Sequence, residues 1–367
     1  MTVADTKYPG PVADSRRQEA QPALDEITEV APGILRMQLP IELPGLGHVN
    51  CYALEDADGF ALVDPGLPGE KPWQGLVEKL ALANIPMRRV HSVIVTHSHP
   101  DHFGGAGRLH EETGARIISH EAFRLMWRPA EDDDGPEPEQ MAENVEEAAR
   151  PTPFGRPTPW GGTYAPMTSA HRERMNNELD QPYAVPKPTT RLKDADVVSL
   201  ARREWVAVHT PGHTPDHLCL YDPVEGVVLS GDHVLPTITP HISGVGNTAN
   251  PLDEFLASLH KIGELSGVRQ VLPAHGLVFT DLKGRADEIR DHHLERLERL
   301  VTAAAQLDRP ASVNELMKKL FSERAWGSMA ESETYAHLEH LRAEGLLATE
   351  WHDSMLHYVV TAPSHAS

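Results

Sequence analysis

The sequence predicts a mixed α/β (α+β) chain that ends in a small helical module, and three observations predict it. Short apolar runs such as Gly59-Phe60-Ala61-Leu62-Val63 and Val93-Ile94-Val95 have the texture of buried strands, and segments with apolar residues at helical spacing lie between them. Several of these runs stop at Asp or His beside Gly or Pro. After about Asp308 the pattern changes to helix, helix, hairpin.

Residues 1–24 are small, polar and unpatterned, and are expected to be disordered. Strands are expected at 34–39, 49–54 and 59–63, joined by short turns as in an antiparallel meander. Trp73 to Ala83 carries Leu76, Val77, Leu80 and Leu82 at helical spacing. Gly104 and Gly105 open an expected helix through His110, and Arg116-Ile117-Ile118-Ser119 is again strand-like. Proline recurs from Pro129 to Pro188 around an acidic run, Glu131-Asp132-Asp133-Asp134. A structureless connection this long is unusual inside a compact domain, so residues 129–188 read as an insertion placed to fold over a site as a lid.

Strand texture resumes near Val197, at 205–208, at 218–221 and at 227–230. Asn250-Pro251 starts a helix with an acceptor at the N-cap and Pro at the first position. Residues 270–273 form another strand-like run leading to His275. A long helix follows from about Gly284 to Ala305, with Ile289, Leu294, Leu297, Leu300 and Val301 expected on one face. Ser312 and Glu315 form a capping-box pattern at the next helix, and Gly345 ends the one after it. Residues 346–350 and 355–360 read as a hairpin, the outline of a winged helix. The main domain is set at residues 25–306 and the winged-helix-like module at 307–367.

The stretch Thr96-His97-Ser98-His99-Pro100-Asp101-His102 organises the rest. Imidazole nitrogen and carboxylate oxygen are the ligands of zinc and other borderline metals. Packing gives no reason to crowd such groups together, and burying them without partners is costly. His213, Asp232 and His275 repeat the feature at three later strand ends.

Charge and composition exclude some classes. The formal net charge is -21, which argues against a broad nucleic-acid or membrane footprint. No run approaches the roughly 18 apolar residues of a membrane span. Cys51 and Cys219 both sit in apolar runs, so no disulfide framework is expected. Residues 1–21 hold no apolar signal core, which makes a cytoplasmic protein the default expectation. The C-terminal module has little positive charge, so packing or homodimerisation is expected of it rather than DNA binding.

In its residues the chain resembles the metallo-beta-lactamase superfamily, whose hallmark is His-x-His-x-Asp-His followed by a distant His, then Asp, then His. Every element is present in order, over roughly residues 30 to 300. The resemblance implies an αββα sandwich with metals at one sheet edge. It assigns His97, His99 and His213 to one metal, Asp101, His102 and His275 to a second, and Asp232 to a bridge. It makes Asp64 an orienting partner of the ligands, and it makes Asp101 and Asp232 the catalytic carboxylates whose charge helps hold two dications. His241, on the loop after Asp232, is a candidate for substrate contact, and His48 faces the same choice against solvent exposure. His217 is expected to support the ligands or to lie in the core, and His293 to be a surface or helix residue.

Pro211-Gly212-His213-Thr214-Pro215-Asp216-His217, the Pro273-Ala274-His275-Gly276 turn and the terminal module carry a nearer resemblance to the beta-lactamase-like protein 2 group. That group includes a single-stranded RNA endonuclease and thioesterase-like hydrolases. The resemblance implies two zinc ions, with iron or manganese as alternatives. It implies a binuclear hydrolase in which a metal-bridging hydroxide attacks a small ester, thioester or lactone. The alternatives are an endoribonuclease or phosphodiesterase using the same hydroxide, and an iron-dependent oxidoreductase.

Overall fold

The computed structural model describes residues 17–43, 45–125, 157–163, 184, 186–245 and 248–361. Its elements are β1 (Thr28–Ala31), β2 (Ile34–Leu43), β3 (Leu46–Glu55), β4 (Phe60–Val63), α1 (Glu70–Leu82), β5 (Val90–Ile94), α2 (Pro100–Phe103), α3 (Ala106–Thr113) and β6 (Arg116–His120). Next come β7 (Thr190–Leu192), β8 (Val197–Leu200), β9 (Arg203–His209), β10 (Leu218–Asp222), β11 (Val227–Gly231), α4 (Pro251–Gly263), β12 (Gln270–Pro273) and α5 (Leu282–Leu307). The chain ends with β13 (Ala311–Ser312), α6 (Val313–Leu320), α7 (Ser328–Ala343), β14 (Leu347–His352) and β15 (Met355–Val360).

Two mixed sheets form the centre. One runs in the order β1-β2-β3-β4-β5-β6-β7, antiparallel through β4 and parallel from β4 to β7. The other runs β12-β11-β10-β9-β8, with only β12 and β11 parallel. Strand alternation decides which side chains go where. Ile34, Tyr52, Ala61, Val63 and Ile94 meet Trp205, Ala207, Leu218, Leu220 and Leu229 between the sheets. Cys51, Leu62 and Val93 point the other way, onto Trp73, Leu76 and Leu80 of α1 and Leu109 of α3. Val208, Cys219 and Val228 face Phe255 and Leu259 of α4 and Ile289 of α5. The result is the expected αββα sandwich, and the two cysteines, both free, lie in opposite outer layers.

The C-terminal elements join the outer layer formed by α4 and α5. Leu316 and Leu320 of α6, Leu338 and Leu341 of α7, and Tyr358 of β15 share one apolar cluster with Leu297 and Leu300 of α5. Their small sheet runs β13-β15-β14, and Ser312 and Glu315 make the expected capping box. No helix among the described residues is long and apolar enough to cross a membrane.

The helix expected to open at Gly104 and Gly105 is α3, with the single turn of α2 before it, and Gly104 passes so close to the preceding loop that a Cβ there would lie 2.0 Å from the Pro68 nitrogen. Two sequence readings change. On α5, Leu294 is 41% exposed while His293 is fully buried. The polar His took the core position because its ring pairs with His337 of α7. Residues 17–24, expected to lack order, include a 3-10 turn at Gln18–Ala20. Its Glu19 is fully buried and accepts from the Thr237 and Ile238 amides and the Thr237 hydroxyl. Most of the Pro-rich insertion lies outside the described residues, but 157–163 do not. There Trp160 is buried, packs its ring at a tilt against Tyr335 with the centroids 5.0 Å apart, and its carbonyl accepts from the Leu356 amide at 2.9 Å.

Candidate metal centre

Each candidate ligand leaves the end of a strand along one edge shared by the two sheets. β5 stops at Ile94, and the chain runs through His97 and His99 into α2, where Pro100 starts the helix and Asp101 and His102 occupy its turn. Leu218 N–H donates to the Thr96 carbonyl at 2.8 Å, which joins the start of β10 to the end of β5. β11 ends at Gly231, at φ 51, where a Cβ would stand 2.6 Å from His217 Nε2. Only glycine lets Asp232 follow so tightly against that ring.

Seven side chains converge in two groups. His97, His99, His213 and Asp232 offer ligand atoms within 4.8 Å of one another, and so do Asp101, His102 and His275. Within the first group His99 Nδ1 lies 3.0 Å from His97 Nε2 and 3.1 Å from His213 Nε2. Within the second, Asp101 Oδ2 lies 3.5 Å from both His102 Nε2 and His275 Nε2. Asp232 stands between the groups. Its Oδ2 is 3.6 Å from His213 Nε2 and 3.6 Å from His102 Nε2, and its Oδ1 is 3.3 Å from His275 Nε2.

His99 Nδ1 is within hydrogen-bond reach of both rings of its own group, but other ligand atoms meet without bonding. His102 Nε2, His275 Nε2 and Asp232 Oδ1 are all buried and have no hydrogen-bond partner. Such buried polar atoms are costly on their own. Their lone pairs face a common space, which a cation would satisfy, so the donor set fits divalent metal.

The far side of the rings is held by the protein. His102 Nδ1 donates to Asp64 Oδ2 at 2.9 Å, and Asp64 also accepts from the Thr96 amide and hydroxyl. His213 Nδ1 donates to the His241 carbonyl at 2.7 Å, and His275 Nδ1 to the His48 carbonyl at 2.6 Å. These bonds put a proton on Nδ1 of each ring and turn Nε2 toward the cluster, the nitrogen that a metal would take from the neutral ring.

Charge follows the same division. Burial, then the neighbouring imidazoles, lower His97 far below its ordinary value, and burial with His213 brings His99 to about 3. Burial also lowers His213. Burial alone would lower His102 and His275, but Asp101 and Asp232 outweigh it and raise both. Burial alone would raise Asp101 and Asp232, but the facing imidazoles hold Asp101 at about 2 and Asp232 well below its ordinary value. Both carboxylates are therefore ionised at neutral pH.

Three further histidines, open in the sequence, support the site. His217 is fully buried, and its Nε2 accepts the Asp232 amide at 3.0 Å, so its proton sits on Nδ1 and is donated to Thr210 Oγ1 at 2.8 Å. His48 is buried rather than solvent-facing, accepts from the Gly276 amide and contacts the Gln21 carbonyl. His241 presents its carbonyl to His213 and its ring Nδ1 to Glu333 Oε2 of α7, 3.3 Å away. A third group, His293, Glu333 and His337, lies at the α5–α7 contact. There the rings bond one another at 3.0 Å and Arg296 pairs with the carboxylate, a polar helix contact already neutralised from within.

A family model described as metallo-beta-lactamase superfamily matches residues 44–303. The atrochrysone carboxyl ACP thioesterase of Aspergillus fumigatus is 27% identical over 290 residues, covering 78% of this chain and 69% of that protein. A beta-lactamase-like protein 2 homolog of Caenorhabditis elegans is 22% identical over 289 residues, covering 78% and 74%. The crystal structure of a metallo-beta-lactamase family protein from Thermus thermophilus aligns with a TM-score of 0.67 and 30% identity, covering 91% of this chain and all of that one.

Proposed function

Because the chain belongs to the metallo-beta-lactamase superfamily, we propose that it is a binuclear metal-dependent hydrolase cleaving a small ester, thioester or lactone. One observation carries this reading. Asp232 reaches both ligand groups, 3.6 Å from His213 in one and 3.3 Å from His275 in the other. His97, His99 and His213 would hold one ion, Asp101, His102 and His275 the other, with Asp232 shared. A nitrogen-rich set with carboxylates suits zinc first, then iron or manganese. Such a pair supplies Lewis acidity and brings the pKa of water toward neutrality.

The chain's own residues orient and charge the site. Asp64, His48 and His241 fix the ring planes, His217 fixes the Asp232 backbone, and the Asp101 and Asp232 carboxylates offset part of the dications' charge. The reading does not require a protein nucleophile. Burial pushes the Cys219 thiol up to about 12 and Cys51 higher, and both point into outer layers. The thioesterase name of the fungal relative favours an acyl centre. The proposal keeps residues 25–306 as the catalytic body, 307–367 as a winged-helix-like module, and 129–188 as a lid.

The test is a metal analysis followed by a panel of thioesters, lactones, phosphodiesters and single-stranded RNA, with and without chelator. Chelator-sensitive cleavage of an acyl substrate is expected. Cleavage of RNA or phosphodiester alone would replace the reading with a phosphodiesterase. Bound iron with oxygen uptake and no hydrolysis would replace it with an oxidoreductase.

A further inference from the structure

We infer that the C-terminal module is part of the metal centre, and that Glu333 of α7 is a positioning residue acting on His213 through His241. The inference rests on the reading of His213 as a metal ligand.

The connection is short. His213 Nδ1 donates to the backbone carbonyl of His241 at 2.7 Å. That carbonyl belongs to the loop after Asp232, which contains no strand or helix to hold it from residue 232 to 245. Glu19 and Arg285 of α5 hold the loop's first part, at residues 235–238, and α7 holds the part that carries His241. Glu333 Oε2 lies 3.3 Å from His241 Nδ1. Three residues on, the Gly244 amide donates to the Ser332 carbonyl at 3.2 Å and to its hydroxyl at 3.1 Å, and the Ser243 and Ser332 hydroxyls lie 3.2 Å apart. The approach is too close for any side chain at 244, since a Cβ would stand 2.6 Å from the Ser332 carbonyl oxygen.

Glu333 is itself fixed from the other side. Arg296 of α5 pairs with Oε1, which leaves Oε2 for His241. The Glu333 side chain is 11% exposed, so this ion pair acts where water screens it little. A buried carboxylate costs free energy unless its oxygens are occupied, and here one is bound from the catalytic body and the other binds the loop. The helix contact is thereby converted into an orientation for the His213 ring. Ligand imidazoles need such support, and its loss typically weakens metal binding 10–100-fold.

The experiment measures affinity for zinc and for cobalt alone in the full chain, by competition with a chelator, together with the cobalt absorption spectrum. Glu333→Gln is expected to weaken one of the two ions roughly 10–100-fold, to alter its cobalt spectrum and to leave the other unchanged. His241→Phe keeps the Arg296–Glu333 pair intact, so it stands should Glu333→Gln fold poorly, and it is expected to give the same loss. The double variant is expected to lose no more than either single one, because both break one connection. Glu339→Gln is the control: Glu339 lies on the same helix but accepts from Tyr358 at 2.6 Å, and its loss is expected to leave both affinities intact. Wild-type affinity in Glu333→Gln or His241→Phe, additive losses in the double variant, or an equal loss in Glu339→Gln would each overturn the inference. His213→Ala separates the two readings. If it keeps both ions, the ligand assignment fails. If it loses one while Glu333→Gln loses none, only the role of Glu333 fails.

Discussion

Asp64 and His102 are joined by a 2.9 Å hydrogen bond from imidazole Nδ1 to carboxylate Oδ2, and both side chains are almost fully buried. The same carboxylate takes the Thr96 amide at 2.9 Å and the Thr96 hydroxyl at 2.8 Å, so one residue fixes both a ring and the start of the histidine loop.

Asp64→Asn therefore tests orientation without disturbing the backbone. Asp64 sits at φ 52, a conformation Asn tolerates. The amide has one accepting atom where three donors converge, so one donor must face another. Metal affinity is expected to fall about 10–100-fold with little change in fold, read by chelator competition and circular dichroism. Unchanged affinity would show that His102 needs no such partner.

Asp216 gives a dependence on pH. Burial pushes its carboxyl from 3.8 up to about 6, against the hydrogen bond from Ser98. The folded chain thus holds this proton more tightly than the unfolded chain. The contribution is full below about 4 and is lost as pH rises through about 6. In metal-stripped protein, wild type is expected to lose about 2 kcal/mol more than Asp216→Asn between pH 4 and 7, an order-of-magnitude figure at 1.36 kcal/mol per unit. Urea unfolding at several pH values checks it. Parallel curves for the two proteins would contradict it.

Trp160 anchors the described part of the insertion to the C-terminal module, through Tyr335 and the Leu356 amide. Trp160→Ala is expected to cost about 3 kcal/mol in chemical denaturation, the low end for a buried tryptophan because the segment can detach. Replacing 130–187 by a short Gly/Ser linker tests the lid proposal. The shortened chain is expected to keep both metals and raise KM for an apolar substrate. Unchanged kinetics would remove the lid from the account.

The candidate ligands were legible in the sequence because His97 to His102 are adjacent and His213, Asp232 and His275 each follow a strand-like run. The sandwich was legible through the same resemblance, and the strands through their apolar texture. The supports were not. His275 is held by the carbonyl of His48, 227 positions away, and any residue type can present a carbonyl. Glu19 meets Thr237 across 218 positions from a stretch whose composition reads as unstructured. His293 looked like surface because its partner, His337, lies 44 residues later on another helix. Asp64 and His217 were the exceptions: the family resemblance implied the orienting role of Asp64 at the end of its strand, and His217 lies close after His213 in the same motif.

The central claim, a two-ion centre shared by Asp232, is tested most directly by counting metal ions per chain in the purified full-length protein and in Asp232→Ala after identical dialysis. Asp232 is 6% exposed and stands 3.3–3.6 Å from His102, His213 and His275, so its removal withdraws a ligand from both groups. The account predicts close to two ions in the wild type and one or fewer in the variant. A wild type with no bound metal, or a variant that still holds two, would contradict it.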